Sequence, residues 1–408
     1  MLNNHFIHTF VAINYQTKMK RYRLAILAFA VTVSAATYGQ LFRPLGLGVD
    51  KCERVGYYFQ PQMHVEGDFL YVCTNQGLYS KDLSTKESTW QLVGFEDIPL
   101  QDYARRGEDI LALRYNESGS FLLLSHDGGK TYEDVTPDLF GEYKDMTHVL
   151  ISLVQHPADP NTLLVSSYPL GLFQSSDFGQ TWDQLTDIVS EHIGYHPLNP
   201  EIIYESGNNL AYVPYFNISY DGGQTWSYLS PNFGGDNCAN RIAFHPTDLN
   251  RWIVGGFGVV ATSADNGHTW DMQSLSGVRD GLWAFTAYDN ENSDIIYMAG
   301  RLAETLHVMY STDGGETWSV PQTDPMKNHL TEKVYDLKQQ GGKLLFYTES
   351  DVYEISKAEL LAQATSVRTI TTAIPDASSE IYDLQGRRLS AIPQKGVYIQ
   401  NGKKKVVK

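Results

Sequence analysis

One eight-residue pattern, Ser-x-Asp-x-Gly-x-Thr-Trp/Tyr, occurs five times and constrains the fold more than any other feature of the chain. The copies are SHDGGKTY (125–132), SSDFGQTW (175–182), SYDGGQTW (219–226), SADNGHTW (263–270) and STDGGETW (311–318). Successive aspartates are 44 to 50 residues apart, the length of a four-stranded blade in a β-propeller. Each copy therefore predicts one blade.

The residue types of the octet are those of a tight β-hairpin tip. The glycine common to the copies can take the positive φ of such a turn without a Cβ clash. The aspartate can accept hydrogen bonds from backbone N–H groups across the turn, and the serine and threonine hydroxyls can hold the strand ends in register. The terminal aromatic ring supplies apolar surface for packing. Each residue type of the octet thus has a structural role within the hairpin itself.

A second repeated element, His-Pro followed two residues later by Asp or Asn, precedes three of the octets. Its histidines are His156, His196 and His245. Each copy lies between two β-rich runs, so it is typical of the turn between the first two strands of a blade. Residues 288–297 repeat the unit in weaker form. We interpret the three histidines as structural turn residues.

Two further segments, 68–90 and 343–355, show the same alternation of β-rich runs and turns without a complete octet. They indicate a first and a last blade that have lost the motif. Dividing residues 41–357 by seven gives about 45 residues a blade, within the spacing of the octets, whereas six blades would need about 53. We predict an all-β, seven-bladed β-propeller with a small C-terminal β tail, and six blades as the alternative. A strand near residues 55–60 is expected to close the ring against the last blade.

The octets resemble the Asp-box, or bacterial neuraminidase repeat, of sialidases, sortilin-type receptors, xyloglucanase-type glycoside hydrolases and photosystem II assembly-factor propellers. Together, the His-Pro turn and the octet are most similar to the sortilin, xyloglucanase and assembly-factor branch. The resemblance covers about residues 64–357. It implies the fold but does not identify the activity, because these families have unrelated functions on one architecture. It also implies that the box aspartates are structural rather than catalytic: Asp127, Asp177, Asp221, Asp265 and Asp313.

The N-terminus has the three parts of an export signal: a basic stretch (18–23), an apolar run (24–33) and small residues (34–36). The apolar run is too short to span a bilayer. Met19 lies in the basic stretch, so residues 1–18 could be an upstream extension from a misplaced start. We expect residues 1–39 to be a signal peptide and residues 40–363 the propeller. The protein is then exported to the extracellular space or the outer-membrane surface, with the periplasm as the alternative.

The C-terminus is a separate element behind a Thr/Ala/Ser-rich linker, residues 364–379. Residues 380–408 contain YDLQGR (382–387), GVYI (396–399) and a basic end. That pattern is similar to the C-terminal sorting domain of type IX secretion substrates, which implies the secretion machinery as a partner. A small β-module packed on the propeller is the alternative.

Charge and cysteines limit the partners. The net charge of −16 disfavours binding to nucleic acid or to an anionic membrane surface, and fits a cationic partner or a neutral glycan better. Cys52 and Cys73 could form a disulfide in an oxidising compartment, leaving Cys238 free. The spacing shows no metal motif. We expect no cofactor, no metal and a monomer.

A ligand site is expected on the central face, where the segments entering the first strand of each blade converge. The candidate ligand-binding residues at these points are Tyr103, Arg105, His148, Glu191, His192, Asn240, Arg241, Arg279 and Trp283. Tyr103 or Trp283 could stack on a ring of the ligand. A solvated loop residue is the alternative interpretation at each single position.

Catalysis would require specific catalytic side chains in addition to polar binding residues. A xyloglucanase-type site requires two carboxylates flanking the scissile bond, for which Asp102, Asp145 and Asp280 are the candidates. A sialidase-type site requires three arginines, and residues 42–45 resemble its N-terminal arginine motif without the isoleucine. We therefore predict an exported, non-catalytic module for glycan or protein binding or assembly at the cell surface. The alternative is a glycoside hydrolase, sialidase-like or xyloglucanase-like, acting on extracellular glycans.

Overall fold

The computed structural model describes residues 42–48, 61–116, 119–137, 149–208, 214–229, 241–275, 281–302, 305–320, 334–362, 368–371, 381–382, 388–389, 396–400 and 403–407. The chain divides into two units, residues 1–43 and 44–408. Phe42 and Arg43 are the described residues of the first unit, so the fold is that of the second.

Seven antiparallel sheets follow one another along the chain and form the seven predicted blades. Blade one contains β2 (Met63–Glu66), β3 (Phe69–Thr74), β4 (Gly77–Asp82) and β5 (Gln91–Gly94). Blade two contains β6 (Leu100–Arg106), β7 (Asp109–Asn116), β8 (Gly119–Ser125) and β9 (Glu133–Asp134). Blade three contains β10 (Val149–Gln155), β11 (Leu163–Tyr168), β12 (Gly171–Ser175) and β13 (Asp183–Thr186). Blade four contains β14 (His192–His196), β15 (Asn199–Asn208), β16 (Pro214–Ser219) and β17 (Ser227–Leu229). Blade five contains β18 (Ala243–Phe244), β19 (Trp252–Gly255), β20 (Val259–Ser263) and β21 (Asp271–Ser274). Blade six contains β22 (Gly281–Tyr288), β23 (Ile296–Leu302), β24 (Thr305–Ser311) and β25 (Thr317–Val320).

Blade seven contains β26 (Val334–Gln340), β27 (Lys343–Thr348) and β28 (Val352–Ser356), and β1 (Arg43–Pro44) stands at the junction of the two units. The chain then forms α1 (Lys357–Ala362), β29 (Arg368–Thr371), β30 (Ile381–Tyr382), β31 (Arg388–Leu389), β32 (Gly396–Gln400) and β33 (Lys403–Val407). In most of the ring the first strands of neighbouring blades contact one another, for example β6 with β10 and β2 with β26, as expected for strands that line the central axis. Among the described residues, no helix is long and apolar enough to cross a membrane.

Residues 45–47 bond to the last blade and close the ring; the predicted closing strand near residues 55–60 lies outside the described residues. Leu45 N–H donates to Val352 O at 2.8 Å. The buried carboxylate of Asp351 accepts the N–H groups of Gly46 (3.0 Å) and Leu47 (2.8 Å). The segment that we compared with a sialidase arginine motif thus leads directly into the closing segment of the last blade.

The five Asp boxes share one hydrogen-bond geometry. The serine Oγ donates to the aspartate Oδ1 at 2.7–2.9 Å and accepts the glycine N–H at 2.7–2.9 Å. The aspartate accepts the threonine N–H at 2.8–2.9 Å and the threonine hydroxyl at 2.6–2.7 Å. Glycine is required at Gly267, where φ is +81° and a Cβ would lie 2.2 Å from the Trp252 ring. Each box therefore joins the third and fourth strands of its blade.

The box tryptophans occupy matching corners of successive blades. Trp182, Trp226 and Trp270 each donate Nε1–H to the carbonyl of their own box glycine, at 3.0 to 3.1 Å. Each also packs into an apolar cluster shared with the preceding blade. This repetition is what a radial arrangement of sheets requires.

In the His-Pro turns, the imidazole Nδ1 accepts backbone N–H groups two or three residues further on. His156 accepts two such bonds (3.1 and 2.9 Å), His245 accepts two (3.2 and 3.0 Å) and His196 accepts one (3.1 Å). In blade six Asp289 has this position, and its Oδ1 accepts the N–H groups of Glu291 and Asn292 at 2.8 and 2.9 Å. A carboxylate and a neutral imidazole thus cap the same turn.

One possible disulfide is ruled out, and the segment after the last blade contributes a strand to the propeller. Cys73 on β3 is a free, fully buried thiol, so the expected disulfide with Cys52 does not form; Cys52 and Cys238 lie outside the described residues. Residues 368–371, inside the predicted linker, form β29, which is the fifth strand of blade six in the order β22-β23-β24-β25-β29. The tail beyond it forms a sheet of its own, β31-β30-β32-β33.

Candidate functional site

The direction of the first strands defines two faces of the propeller. Each first strand ends in a turn such as that of His156, and in blades two to six the third strand ends in an Asp box such as that of Asp127. Both therefore lie on one face, here called the Asp-box face. The connections between blades lie on the opposite face.

A cavity of about 740 Å³ lies at the Asp-box end of the central channel. It is formed by β2, β6, β10, β26 and the turn after β6. Its lining residues are His64, Val65, Glu66, Arg105, Gly107, Glu108, Gln155, Lys338 and Gln339. The wall is therefore mainly polar and contains charges of both signs.

One side of the cavity is organised around Glu66. The hydroxyl of Tyr103, which is buried, donates to Glu66 Oε1 at 2.5 Å, and Arg105 Nη1 lies 3.5 Å from Glu66 Oε2. Arg105 Nη1 also donates to the Tyr71 hydroxyl at 3.0 Å, and its guanidinium lies 5.4 Å from the Tyr71 ring centre. Burial and Glu66 raise the pKa of Tyr103, so this phenol is a fixed neutral donor. The result is a positioned, partly exposed guanidinium.

A histidine and an aspartate form the next part of the wall. His64 Nε2 lies 2.7 Å from Asp102 Oδ1, and the same oxygen accepts Tyr103 N–H at 2.9 Å. Asp102 is 4% exposed, whereas His64 reaches the cavity. Asp102 can therefore orient the imidazole but cannot itself touch a ligand in the cavity.

Asp336 has the same place in blade seven that Asp102 has in blade two. Both follow a register shift in the first strand, and both accept the N–H of the next residue at 2.9 Å. Asp336 is 1% exposed and lies 3.0 Å from Lys338 Nζ and 3.1 Å from Arg241 Nη1. Burial would raise the pKa of Asp336, but Lys338 and Arg241 outweigh it and hold that pKa below its ordinary value.

Arg241 crosses the central channel. It precedes β18 of blade five, yet its guanidinium reaches Asp336 of blade seven and donates from Nη2 to Gln62 Oε1, beside the first strand of blade one. Burial and Arg241 lower the pKa of His192 to about 3. The predicted ligand residue Arg241 is thus bonded to the protein itself, and His192 is neutral.

The predicted site residues do not come together as one group. Arg105 lines the cavity, but at the end of β6 and not where the chain enters the blade, and Tyr103 is buried behind it. Glu191 and His192 lie at the opposite face, at the start of β14. The remaining candidates, Asp145, His148, Asn240, Arg279 and Asp280, lie outside the described residues, and of Trp283 only the backbone in β22 is described.

The other cavity residues were missed because no motif marks them. They are His64, Glu66, Glu108, Gln155, Lys338 and Gln339. A usable signal existed in two blades: Glu66 directly precedes Gly67, and Lys338 and Gln339 precede Gly341, so each stands before the glycine turn that ends a first strand. Among the described residues, no three His, Cys, Asp or Glu side chains are grouped so that they could hold a metal ion.

Comparison with known proteins agrees with this architecture. The BNR/Asp-box repeat model matches residues 309–320. The GH74 xyloglucanase of Xanthomonas campestris superposes with a TM-score of 0.56 at 16% identity, over 77% of this chain and 53% of that one. The YCF48 protein of Cyanidioschyzon merolae superposes with a TM-score of 0.57 at 11% identity, over 78% and 99%. The protein is a seven-bladed Asp-box propeller.

Two more similar proteins are named for what they bind or act on. A structure of YCF48 bound to D1 peptide matches with a TM-score of 0.56 at 14% identity, over 79% of this chain and 98% of that one. A probable oligoxyloglucan-reducing end-specific xyloglucanase of Neosartorya fischeri is 25% identical over 216 residues, 47% of this chain. The match spans only 26% of that fungal protein. The structural likenesses show the fold alone.

Proposed function

We propose that this protein is an exported, non-catalytic binding module that holds a segment of another protein, or a glycan, in the cavity on its Asp-box face. The observation that carries the proposal is that three carboxylates beside the central channel are bonded to other groups of the protein. Glu66, Asp102 and Asp336 each bond a donor or cation of the protein. They therefore position Arg105, His64 and Lys338 rather than act on a ligand.

Glycoside hydrolysis requires a different arrangement. Two carboxyl groups must flank the scissile bond at about 5 to 10 Å, and one must deliver a proton. Asp102 and Asp336 are buried, and Glu66 is already bonded by Tyr103 and Arg105. These three carboxylates are poorly placed for such work, and Glu108 is the remaining carboxylate of the cavity wall.

What the cavity does offer is hydrogen-bond donors. The side chains of Arg105 and Lys338 are 26% and 34% exposed, and each has N–H groups beyond those used within the protein. Such donors suit a ligand rich in oxygen acceptors, as peptide carbonyls, carboxylates and sugar hydroxyls are. The peptide-bound YCF48 structure supports a protein ligand, and the xyloglucanase relatives support a glycan.

The proposal is tested with two matched variants of the full chain. Arg105→Gln removes one of the two cations of the cavity, while Lys343→Gln removes a partly exposed cation that pairs with Glu354 on blade seven, outside the cavity. Glycan arrays and peptide arrays are probed with each variant. We expect ligands retained by the wild type to bind at least tenfold more weakly to Arg105→Gln and normally to Lys343→Gln. Equal retention by all three proteins would contradict the assignment of the cavity.

A glycoside hydrolase is the second candidate, supported by the identity to the fungal xyloglucanase. Its carboxylates would have to include residues outside the described ranges, such as Asp145 and Asp280. Assays on sialosides and β-glucans with Arg279→Gln and Asp280→Asn test it. Turnover that is lost in these variants would replace the binding module by an enzyme.

Export and attachment form a further part of the proposal. Residues 1–39 would direct export, and residues 380–408 would address the protein to type IX secretion. The sequence patterns described above support both. Deleting residues 380–408 should leave the protein in the periplasm of a host with that machinery, and unchanged surface display would contradict the role of the tail.

A further inference from the structure

Blade six holds its outer strand differently from the blades before it. In blades one to five, two to four residue pairs join the outer strand to the third strand. In blade six, β25 pairs with β24 at one position, Tyr310 with Ser319. The tail strand β29 pairs with β25 at four positions. The outer strand of this blade therefore has the tail strand β29 as a second partner beside β24.

The sequence of β25 explains why its edge accepts a strand. Thr317, Trp318, Ser319 and Val320 include no charged residue, which is also true of the outer strands β5 and β17, whereas β9, β13 and β21 contain Asp or Glu. Charged residues on an edge strand discourage further pairing. β25 lacks that protection and is rich in residues with high β propensity.

The tail is brought to this edge by a local anchor. Lys357 at the start of α1 lies 2.9 Å from Asp289 and donates to Asn290 Oδ1 at 2.5 Å, both in the first turn of blade six. Leu360 of the same helix is fully buried. β29 begins six residues after α1 ends, so it is tethered close to β25 and has a high effective concentration there.

We propose that the outer edge of blade six is a second binding surface, which accepts an extended polypeptide segment as an additional antiparallel strand. β29 fills this surface in the isolated protein, and a partner's strand takes its place on binding. The partner segment is uncharged or singly cationic and rich in Thr and Ile, as Arg368-Thr369-Ile370-Thr371 is. Backbone hydrogen bonds supply the affinity and β-branched side chains the fit. This surface is separate from the cavity and does not depend on the function proposed for it.

A reversible lock in the full chain tests the proposal. Ser319 and Thr369 are direct partners across β25 and β29, so Ser319→Cys with Thr369→Cys should form a disulfide that fixes the tail strand. The probe is a fluorescent peptide of residues 366–373, measured by anisotropy. We expect the reduced protein to bind this peptide at least tenfold more tightly than the oxidised protein. A peptide with Pro at the positions of Thr369 and Ile370 should not bind, because neighbouring residues of a strand point their N–H groups to opposite sides and one of the two must face β25.

A second variant makes the outcome independent of disulfide formation. In the full chain, Thr369→Pro with Ile370→Pro should free the edge of β25, speed hydrogen exchange at the amides of 317–320, and allow the wild-type peptide to restore their protection. Equal peptide affinity of the oxidised and reduced proteins would overturn the proposal. So would binding of the proline peptide, or exchange at 317–320 that neither the variant nor the peptide alters.

Discussion

Lys357 Nζ lies 2.9 Å from Asp289 Oδ2, and both side chains are almost completely buried. Asp289 stands where three other blades have a turn histidine. Its Oδ1 caps two backbone N–H groups, which leaves Oδ2 for Lys357 and for the Tyr297 hydroxyl at 3.0 Å. The carboxylate therefore keeps the turn and also ties α1 to blade six.

Replacing this carboxylate by the residue of the other blades should destabilise the protein. Asp289→His can still cap the turn through Nδ1, but it leaves the Lys357 ammonium buried without its counter-ion. We expect a loss of about 3 kcal/mol in the free energy of unfolding, measured by urea denaturation. Lys357→Met introduced with Asp289→His should recover most of it. Strictly additive losses in the double variant would show that the pair is not coupled.

The Asp boxes should make the protein sensitive to acid. The N–H and hydroxyl of Thr131 hold the pKa of Asp127 at about 2, and the pKa values of the other four box aspartates are lowered too. A carboxyl whose pKa is lower in the folded state stabilises fully above its unfolded pKa, near 4, and loses that contribution as the pH falls through about 2.

The Asp127→Asn variant tests this effect. It should be less stable than the wild type at pH 7, because the amide keeps one acceptor oxygen where the carboxylate has two. The difference should shrink between pH 4 and pH 2, as followed by thermal unfolding. A difference that stays constant over this range would exclude Asp127 as a source of acid sensitivity.

A turn histidine adds a second acid-sensitive step at higher pH. Burial lowers the pKa of His196 to about 4, below its ordinary value of 6.5, and its Nδ1 must stay unprotonated to accept Leu198 N–H. The stability that it contributes is complete above pH 6.5 and declines as the pH falls toward 4. In His196→Asn, the side-chain oxygen can accept the same bond at any pH. The urea midpoint of this variant should therefore change less between pH 6.5 and 4.5 than that of the wild type. An unchanged slope would contradict the assignment.

Glu205 should act in the opposite direction. Burial raises its pKa from the ordinary 4.5 to about 7, against hydrogen bonds from Asn217 and Ser190. A carboxyl with a raised folded pKa stabilises below its unfolded pKa and loses that contribution as the pH rises through about 7. At pH 8.5, Glu205→Gln should therefore be the more stable protein, by on the order of 3 kcal/mol for a shift of this size. The Asn217 amide oxygen, which lacks a partner, can accept from the new amide once the group is turned. Equal stability of both proteins at pH 8.5 would count against a buried carboxylate.

The parts of the fold that sequence predicts are those decided by local chemistry. The boxes and His-Pro turns satisfy their hydrogen bonds within a few residues, so their patterns are visible and their spacing gives seven blades. The closing of the ring depends on Asp351 capping Gly46 and Leu47 from about three hundred residues away, and no local pattern records that contact.

The candidate site was harder to predict for the same reason. The sequence predicts Arg105 where the chain enters blade two. In the structure, β6 runs through seven residues with a register shift near its start, which brings Arg105 to the other end of the channel. Glu66 and Lys338 share their position beside the axis and a glycine turn shortly after them, but no motif. That position follows from the closed ring and not from the residues around them.

The most direct test of a non-catalytic propeller is the release of new reducing ends from xyloglucan oligosaccharides incubated with the full chain. We expect none above the buffer control, at enzyme-like and at stoichiometric concentrations of protein. Many reducing ends per protein molecule, lost on substitution of a channel or loop carboxylate, would contradict the account and identify a glycoside hydrolase.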